Sequence, residues 1–178
     1  MSKLEALLQA KAEGNEGYKT KEYEKAIAGY AKAVKLLPQL PEDDDSDNEE
    51  RQSMEAAVAA CEPELLKQGA VVLCNRAAAY MGLSKPIPAL ADAQAASRYD
   101  KSNWKAHWRT GLALMMMKPR LERSEQAIEA FERVLALGDS VPAADQQNAK
   151  EALNRARYRL EQGKDALDMP DMSGCCVS

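Results

Sequence analysis

Apolar residues recur at helical spacing in three stretches of the chain, and each stretch holds two amphipathic runs with a turn between them. A small residue occupies the same place in the first run of each stretch: Gly14, Ala77 and Gly111. Small residues let two helices pack closely, so the pattern predicts a helix pair that occurs three times. The three stretches cover residues 11–38, 74–100 and 108–138.

The spacing of the small residues shows where the repeats have been lengthened. Ala77 and Gly111 are 34 residues apart, whereas Gly14 and Ala77 are 63 apart. If the repeat unit is 34 residues, 29 additional residues lie between the first two helix pairs. Four more lie in the turn of the third pair, around the sequence MKPRLER.

The larger insertion covers about residues 39–67 and contains the run PEDDDSDNEE. This run places seven carboxylates between Glu42 and Glu50, a composition typical of a solvated, disordered loop. The residues after it favour a helix, and Pro63 is expected to begin a lengthened first helix of the second repeat.

A further amphipathic run follows Pro142, with alanine and leucine at helical spacing. A stack of helix pairs needs such a helix, because its last apolar face would otherwise meet water. The expected organisation is a repeat domain over residues 1–138, a capping helix over residues 142–165 and a flexible tail over residues 166–178.

The first repeat resembles the tetratricopeptide repeat (TPR) in its small, aromatic and closing-proline positions. Those positions are Gly14, Tyr18, Ala26, Tyr30, Ala33 and Pro38. Later repeats depart from the pattern, since Ala93 replaces an aromatic residue, Lys101 the closing proline and Val134 an alanine. The resemblance covers most of residues 1–138 and implies an all-α fold, a right-handed superhelix of three TPR helix pairs with a C-terminal capping helix.

Composition narrows the classes of function. The formal charge is −4 and the pI about 5.2, which argues against a nucleic-acid partner. His107 is the only histidine and the cysteines lack metal-ligand spacing, so we expect no metal site and no cofactor. No nucleophile–base pairing or phosphate loop is found, so an enzyme is not expected. Free cysteines without a secretory segment after Met1 favour a cytoplasmic protein.

Five polar residues of the first helices share one face. Measured at about 100° per residue from the small residue of each repeat, they fall within one sector of roughly 100°. They are Lys11, Asn15, Asn75, Lys105 and Arg109. The first helices of stacked repeats line a concave surface, so these side chains are expected to converge on one groove. Such a basic groove is unusual in an acidic protein.

The same five residues resemble the dicarboxylate clamp of TPR co-chaperones. That family has lysine and asparagine four apart in its first repeat, asparagine before arginine in its second, and lysine and arginine four apart in its third. The resemblance implies that the ligand is the C-terminal Glu-Glu-Val-Asp of a heat-shock chaperone of the 90-kDa or 70-kDa class. The alternative is a TPR scaffold that binds another acidic C-terminus in the groove, or a partner on its convex face.

Five further residues are candidates for the border of this groove. Cys74 and Trp108 share the register of Lys11, and three others lie near 40° from their small residues. Those three are Tyr18, Met81 and Met115. The alternative for all of them is ordinary core packing between helices.

The last four residues, Cys175 to Ser178, fit a prenylation box in which the terminal serine favours a farnesyl group on Cys175. This motif implies a prenyltransferase partner. One lipid gives only reversible membrane association. The alternative is an unmodified polar tail.

Overall fold

The computed structural model describes residues 2–40 and 49–168, and its regular structure there is helical. In chain order the helices are α1 (Lys3–Lys19), α2 (Tyr23–Val34), α3 (Glu49–Ala59), α4 (Pro63–Gly82), α5 (Pro86–Tyr99), α6 (Trp104–Met116), α7 (Leu121–Ala136) and α8 (Ala143–Asp168), with a 3-10 turn at Gly138–Ser140. The pairs α1–α2, α4–α5 and α6–α7 form the three predicted repeats, and α8 packs on α7 as the predicted cap. The all-α prediction is therefore confirmed.

The ends of the helices follow from local sequence. Ser2 and Glu5 form a capping box at the start of α1, in which the Glu5 amide donates to Ser2 Oγ at 3.1 Å and the Ser2 amide donates to Glu5 Oε2 at 2.7 Å. Pro63 starts α4, as the sequence predicted. Lys21 and Ser84 have left-handed backbones in the turns of the first two repeats, with φ of 61° and 55°. Their 63-residue separation equals that of the small residues.

Glycine and an aromatic ring complement each other inside the first and third repeats. A Cβ on Gly14 would collide with the ring of Tyr30, and one on Gly111 would lie 2.5 Å from Cε1 of Phe131. In the second repeat Ala77 replaces the glycine, and Ala93 replaces the ring. Both alanines are fully buried in one cluster. The departure at Ala93 is thus explained, because the methyl group of Ala77 occupies space that a ring would need.

The capping helix covers the last repeat with small and apolar side chains. Ala152, Leu153 and Ala156 pack with Phe131, and Ala149 packs with Val134. The helix ends at Asp168, three residues beyond the predicted boundary.

Helices form much of the described part of the insertion, which contains α3 and the start of α4. Glu49 and Glu50, the last two members of the acidic run, lie in α3. Residues 41–48 of the run lie outside the described residues. The lengthened start of α4 packs on the first repeat, where a Cβ on Gly69 would lie 2.5 Å from Leu37. Residues 166–168, predicted as tail, belong to α8.

Candidate functional site

The first helices of the three repeats, α1, α4 and α6, lie side by side. All five residues predicted to line the groove are on them, with Lys11 and Asn15 on α1, Asn75 on α4, and Lys105 and Arg109 on α6. Lys105 is exposed and the other four are half-buried. Partly buried cations and amides can bind a ligand and still be shielded from water.

The two asparagines meet across the first two repeats. The carboxamide oxygen of Asn15 accepts from Tyr30 Oη at 2.8 Å and from Asn75 Nδ2 at 3.2 Å. A carbonyl oxygen has two lone pairs, so both acceptor positions of Asn15 are used. Its two amide N–H groups carry no hydrogen bond within the described structure and are free to donate to a ligand.

Lys11 is held by a residue that sequence reasoning missed. Its Nζ donates to Gln68 Oε1 at 2.8 Å, and Gln68 Nε2 donates to Glu64 Oε1 at 2.8 Å. Gln68 lies on the lengthened part of α4, seven residues before Asn75, which is close to two helical turns. This spacing places Gln68 on the same face of α4 as Asn75, and it could have identified Gln68 from the sequence.

Lys105 and Arg109 on α6 are close enough to act electrostatically on side chains of the preceding repeats. Burial raises the pKa of the Cys74 thiol to about 11, and the positive charges of Arg109 and Lys105 oppose this increase. Burial also raises the pKa of Tyr30, again against the charge of Arg109. The charge of Arg109 thus acts on residues of both earlier repeats, and that of Lys105 on Cys74 of the second repeat. The Nζ of Lys105 lies 5.6 Å from the ring centroid of Trp104.

The charge partners of the groove cations decide which ligand the groove favours. Over residues 2–40 and 49–168, none of Lys11, Lys105 and Arg109 forms an ion pair. The buried Nε of Arg109 also has no hydrogen-bond partner in the described part of the chain. Unpaired positive charge in a partly buried site favours an anion, because hydrogen bonds to charged groups are about twice as strong as neutral ones.

The five predicted border residues differ in accessibility. Cys74 is 1% exposed, so its thiol belongs to the core beneath the groove. Trp108 packs against Phe131 in a tilted arrangement, with ring centroids 5.4 Å apart and an interplanar angle of 56°. Met81 and Met115 are partly buried against the clusters of the second and third repeats. Tyr18 is 40% exposed and meets Tyr23 edge-on, so it presents the most open surface of the five.

Arg76, the neighbour of Asn75, turns away from the groove. Its Nε and Nη2 donate to the two carboxylate oxygens of Asp92 at 2.7 Å each. The side chains are 17% and 8% exposed, so this is a buried ion pair that joins α4 to α5. The sequence did not indicate this pair. The repeat pattern gives no reason to expect a buried acidic residue at Asp92.

The histidine, the possible metal ligands and the possible membrane spans were the other features to consider in the described ranges. His107 is 9% exposed, and its Nε2 lies 3.1 Å from the carbonyl oxygen of Lys101. Within the described ranges, no cluster of three or more histidine, cysteine or acidic side chains is arranged to hold a metal ion. None of the helices in those ranges is both long and apolar enough to cross a bilayer.

Three stacked helix pairs and a capping helix are the architecture of the TPR superhelical fold. No protein-family model matches the sequence. The chain is 29% identical over 164 residues to small glutamine-rich tetratricopeptide repeat-containing protein 2 of Saccharomyces cerevisiae, covering 88% of this chain and 38% of the relative. It is 34% identical over 122 residues to the ER protein translocation subcomplex subunit sec67 of Schizosaccharomyces pombe, covering 66% and 53%.

The chain thus spans 38% and 53% of the lengths of these two curated relatives. Among solved structures, it is similar to the first TPR domain of Spaghetti (RPAP3) bound to the HSP90 peptide SRMEEVD. The TM-score is 0.63 and the identity 25%, over 89% of this chain and 95% of that one. The predicted TPR superhelix is therefore confirmed.

Proposed function

We propose that the chain is a non-enzymatic adaptor that binds the free C-terminus of a heat-shock chaperone, of the 90-kDa or 70-kDa class, through the carboxylates of its Glu-Glu-Val-Asp end. The observation that carries the proposal is that Lys11, Lys105 and Arg109 form no ion pair among the described residues, on the helices that also carry the Asn15–Asn75 pair. These residues come from three adjacent helices, and we propose that they line one groove.

The chemistry of the groove suits the last residue of such a peptide. A C-terminal aspartate offers a main-chain and a side-chain carboxylate, and arginine provides a planar fork for one while lysine provides a point charge. Asparagine amides donate without adding charge. Each charge-assisted hydrogen bond contributes about 1.5–3 kcal/mol. Two or three of them, with side-chain contacts, approach the roughly −8 kcal/mol of a micromolar complex.

The similarity to the RPAP3 domain supports the proposal, because that domain is bound to a peptide ending Glu-Glu-Val-Asp. The choice between the two chaperone classes depends on the peptide residues before the terminal aspartate. Tyr18, Met81, Trp108 and Met115 are the side chains that we propose to meet those residues.

Intrinsic fluorescence provides a direct test. The chain has two tryptophans, Trp104 and Trp108, and they flank Lys105 and Arg109 on α6. Titration of a peptide ending Met-Glu-Glu-Val-Asp is expected to change their emission with a micromolar midpoint. Lys105→Ala and Arg109→Ala are each expected to weaken binding about tenfold or more, the loss of one charge-assisted bond.

Lys150→Ala is the matched control, because Lys150 is an exposed cation on α8 away from the first helices. It is expected to bind as the wild type does. Equal affinity of the wild type and Lys105→Ala would contradict the proposed site.

We further propose that Cys175, which lies outside the described residues, is farnesylated by a prenyltransferase and gives reversible membrane association. Cell fractionation of Cys175→Ser is expected to show less protein with membranes than the wild type. Cys176→Ser is the control, since the neighbouring position does not receive the lipid. The same distribution for the wild type and Cys175→Ser would contradict lipidation.

A further inference from the structure

Tyr30 lies on a second helix, yet its hydroxyl reaches the groove. Its ring is 1% exposed and packs over Gly14, while its Oη donates to Asn15 Oδ1 at 2.8 Å. The third repeat fills the equivalent position with Phe131, which has no hydroxyl. Packing therefore needs only the ring, and the hydroxyl of Tyr30 has a separate role.

That role concerns the direction in which Asn15 presents its carboxamide. The oxygen and nitrogen of an asparagine side chain exchange places when the amide rotates by half a turn, so a carboxylate ligand meets donors in one orientation and an acceptor in the other. Tyr30 and Asn75 both donate to the oxygen of Asn15. This pair of donors leaves the N–H groups of Asn15 for the ligand.

We infer that Tyr30 is a positioning residue of the proposed carboxylate site, whose hydroxyl fixes the amide of Asn15 with its N–H groups towards the peptide. The inference rests on the proposed function and deepens it. It adds to the five groove residues a sixth that acts through Asn15 rather than by touching the ligand.

The surroundings keep Tyr30 in the form that the role requires. Burial raises the pKa of its phenol, the neighbouring Tyr18 adds to the increase, and the charge of Arg109 opposes it. The hydroxyl consequently stays protonated at neutral pH and can donate. The charge of Arg109 is thus close enough to act on the same hydroxyl that donates to Asn15.

The test is the change Tyr30→Phe, which keeps the ring that the third repeat already uses. Affinity for a peptide ending Met-Glu-Glu-Val-Asp is expected to fall about fivefold, the effect of one hydrogen bond. Tyr99→Phe is the matched control, because the hydroxyl of Tyr99 donates to the carbonyl of Pro38 outside the groove. It removes one tyrosine hydroxyl bond and is expected to leave affinity unchanged.

Two further measurements separate positioning from a general loss of structure. In an Asn15→Ala background, Tyr30→Phe is expected to weaken binding no further, because there is no amide left to orient. In the ligand-free protein, the side-chain NH₂ resonances of Asn15 are expected to shift in Tyr30→Phe and to stay in place in Tyr99→Phe.

The outcomes distinguish this inference from the function on which it rests. If the wild type does not bind the free-acid peptide, the proposed function and the positioning role are both wrong. If the wild type binds and Tyr30→Phe binds within about twofold of it, only the positioning role is overturned. A fivefold loss that persists in the Asn15→Ala background would also overturn it.

Discussion

At the scale of residues, the account depends on how small and large side chains share space within each helix pair. The match of Gly14 with Tyr30 and of Gly111 with Phe131 was predictable, because the same positions recur along the sequence. The hydrogen bonds of Gln68 and the Arg76–Asp92 pair were not. They depend on which side chains meet across neighbouring helices, and Lys11 and Gln68 are 57 residues apart.

Gly111→Ala is expected to destabilise the protein by about 1–3 kcal/mol, the usual cost of overpacking a core. The added Cβ would lie 2.5 Å from the buried ring of Phe131, which has nowhere to move. Gly163→Ala is the control, because its Cβ would meet only the end of the flexible Leu121 side chain. Denaturant unfolding should show a loss for the first and none for the second; equal stability of both would contradict the packing account.

Cys74 is expected to resist thiol reagents in the folded protein. Burial raises its pKa to about 11, so the reactive thiolate forms in quantity only at a pH above that value. Cys61 is only half-buried and should be alkylated before Cys74. Mass spectrometry after brief labelling near pH 8 measures both. Rapid labelling of Cys74 without unfolding would show that the core beneath the groove is open.

At the scale of elements, the capping helix does more than cover apolar surface. Arg159 on α8 donates to the carbonyl oxygens of Met115 at 2.8 Å and Met117 at 3.0 Å, where α6 ends. These carbonyls have no partner within their own helix, so the cap satisfies the end of a groove helix. The position of α8 was predictable from its apolar spacing. The contact of Arg159 was not, since 44 residues separate it from Met115.

Arg159→Ala is expected to lower the free energy of unfolding by about 1–3 kcal/mol, because two carbonyls lose a charged donor. Arg157→Ala is the matched change two residues away on the same helix. Arg157 pairs with Glu132 at 2.8 Å, but their side chains are 56% and 50% exposed. Exposed ion pairs contribute about 0–1 kcal/mol. Thermal unfolding of both variants measures the two changes in stability. A larger loss of stability for Arg157→Ala than for Arg159→Ala would contradict the role of Arg159.

At the scale of the whole molecule, the proposed basic groove belongs to a protein whose net charge is acidic. The net charge of −4 gives no sign of it, and the groove becomes visible only when residues of three repeats are placed on one face. The stacking of α1, α4 and α6 was predictable because the repeats share a register. The placement of the acidic insertion was not, since no other repeat contains it and α3 has no counterpart in the pattern.

The central claim is that the groove recognises the carboxylates of a free C-terminus. The most direct measurement is isothermal titration calorimetry of the wild type with two peptides that end Met-Glu-Glu-Val-Asp, one with a free acid and one with a C-terminal amide. The account predicts a near-micromolar dissociation constant for the acid, about −8 kcal/mol, and at least tenfold weaker binding of the amide. Equal affinity for the two peptides, or no binding of the acid, would contradict it.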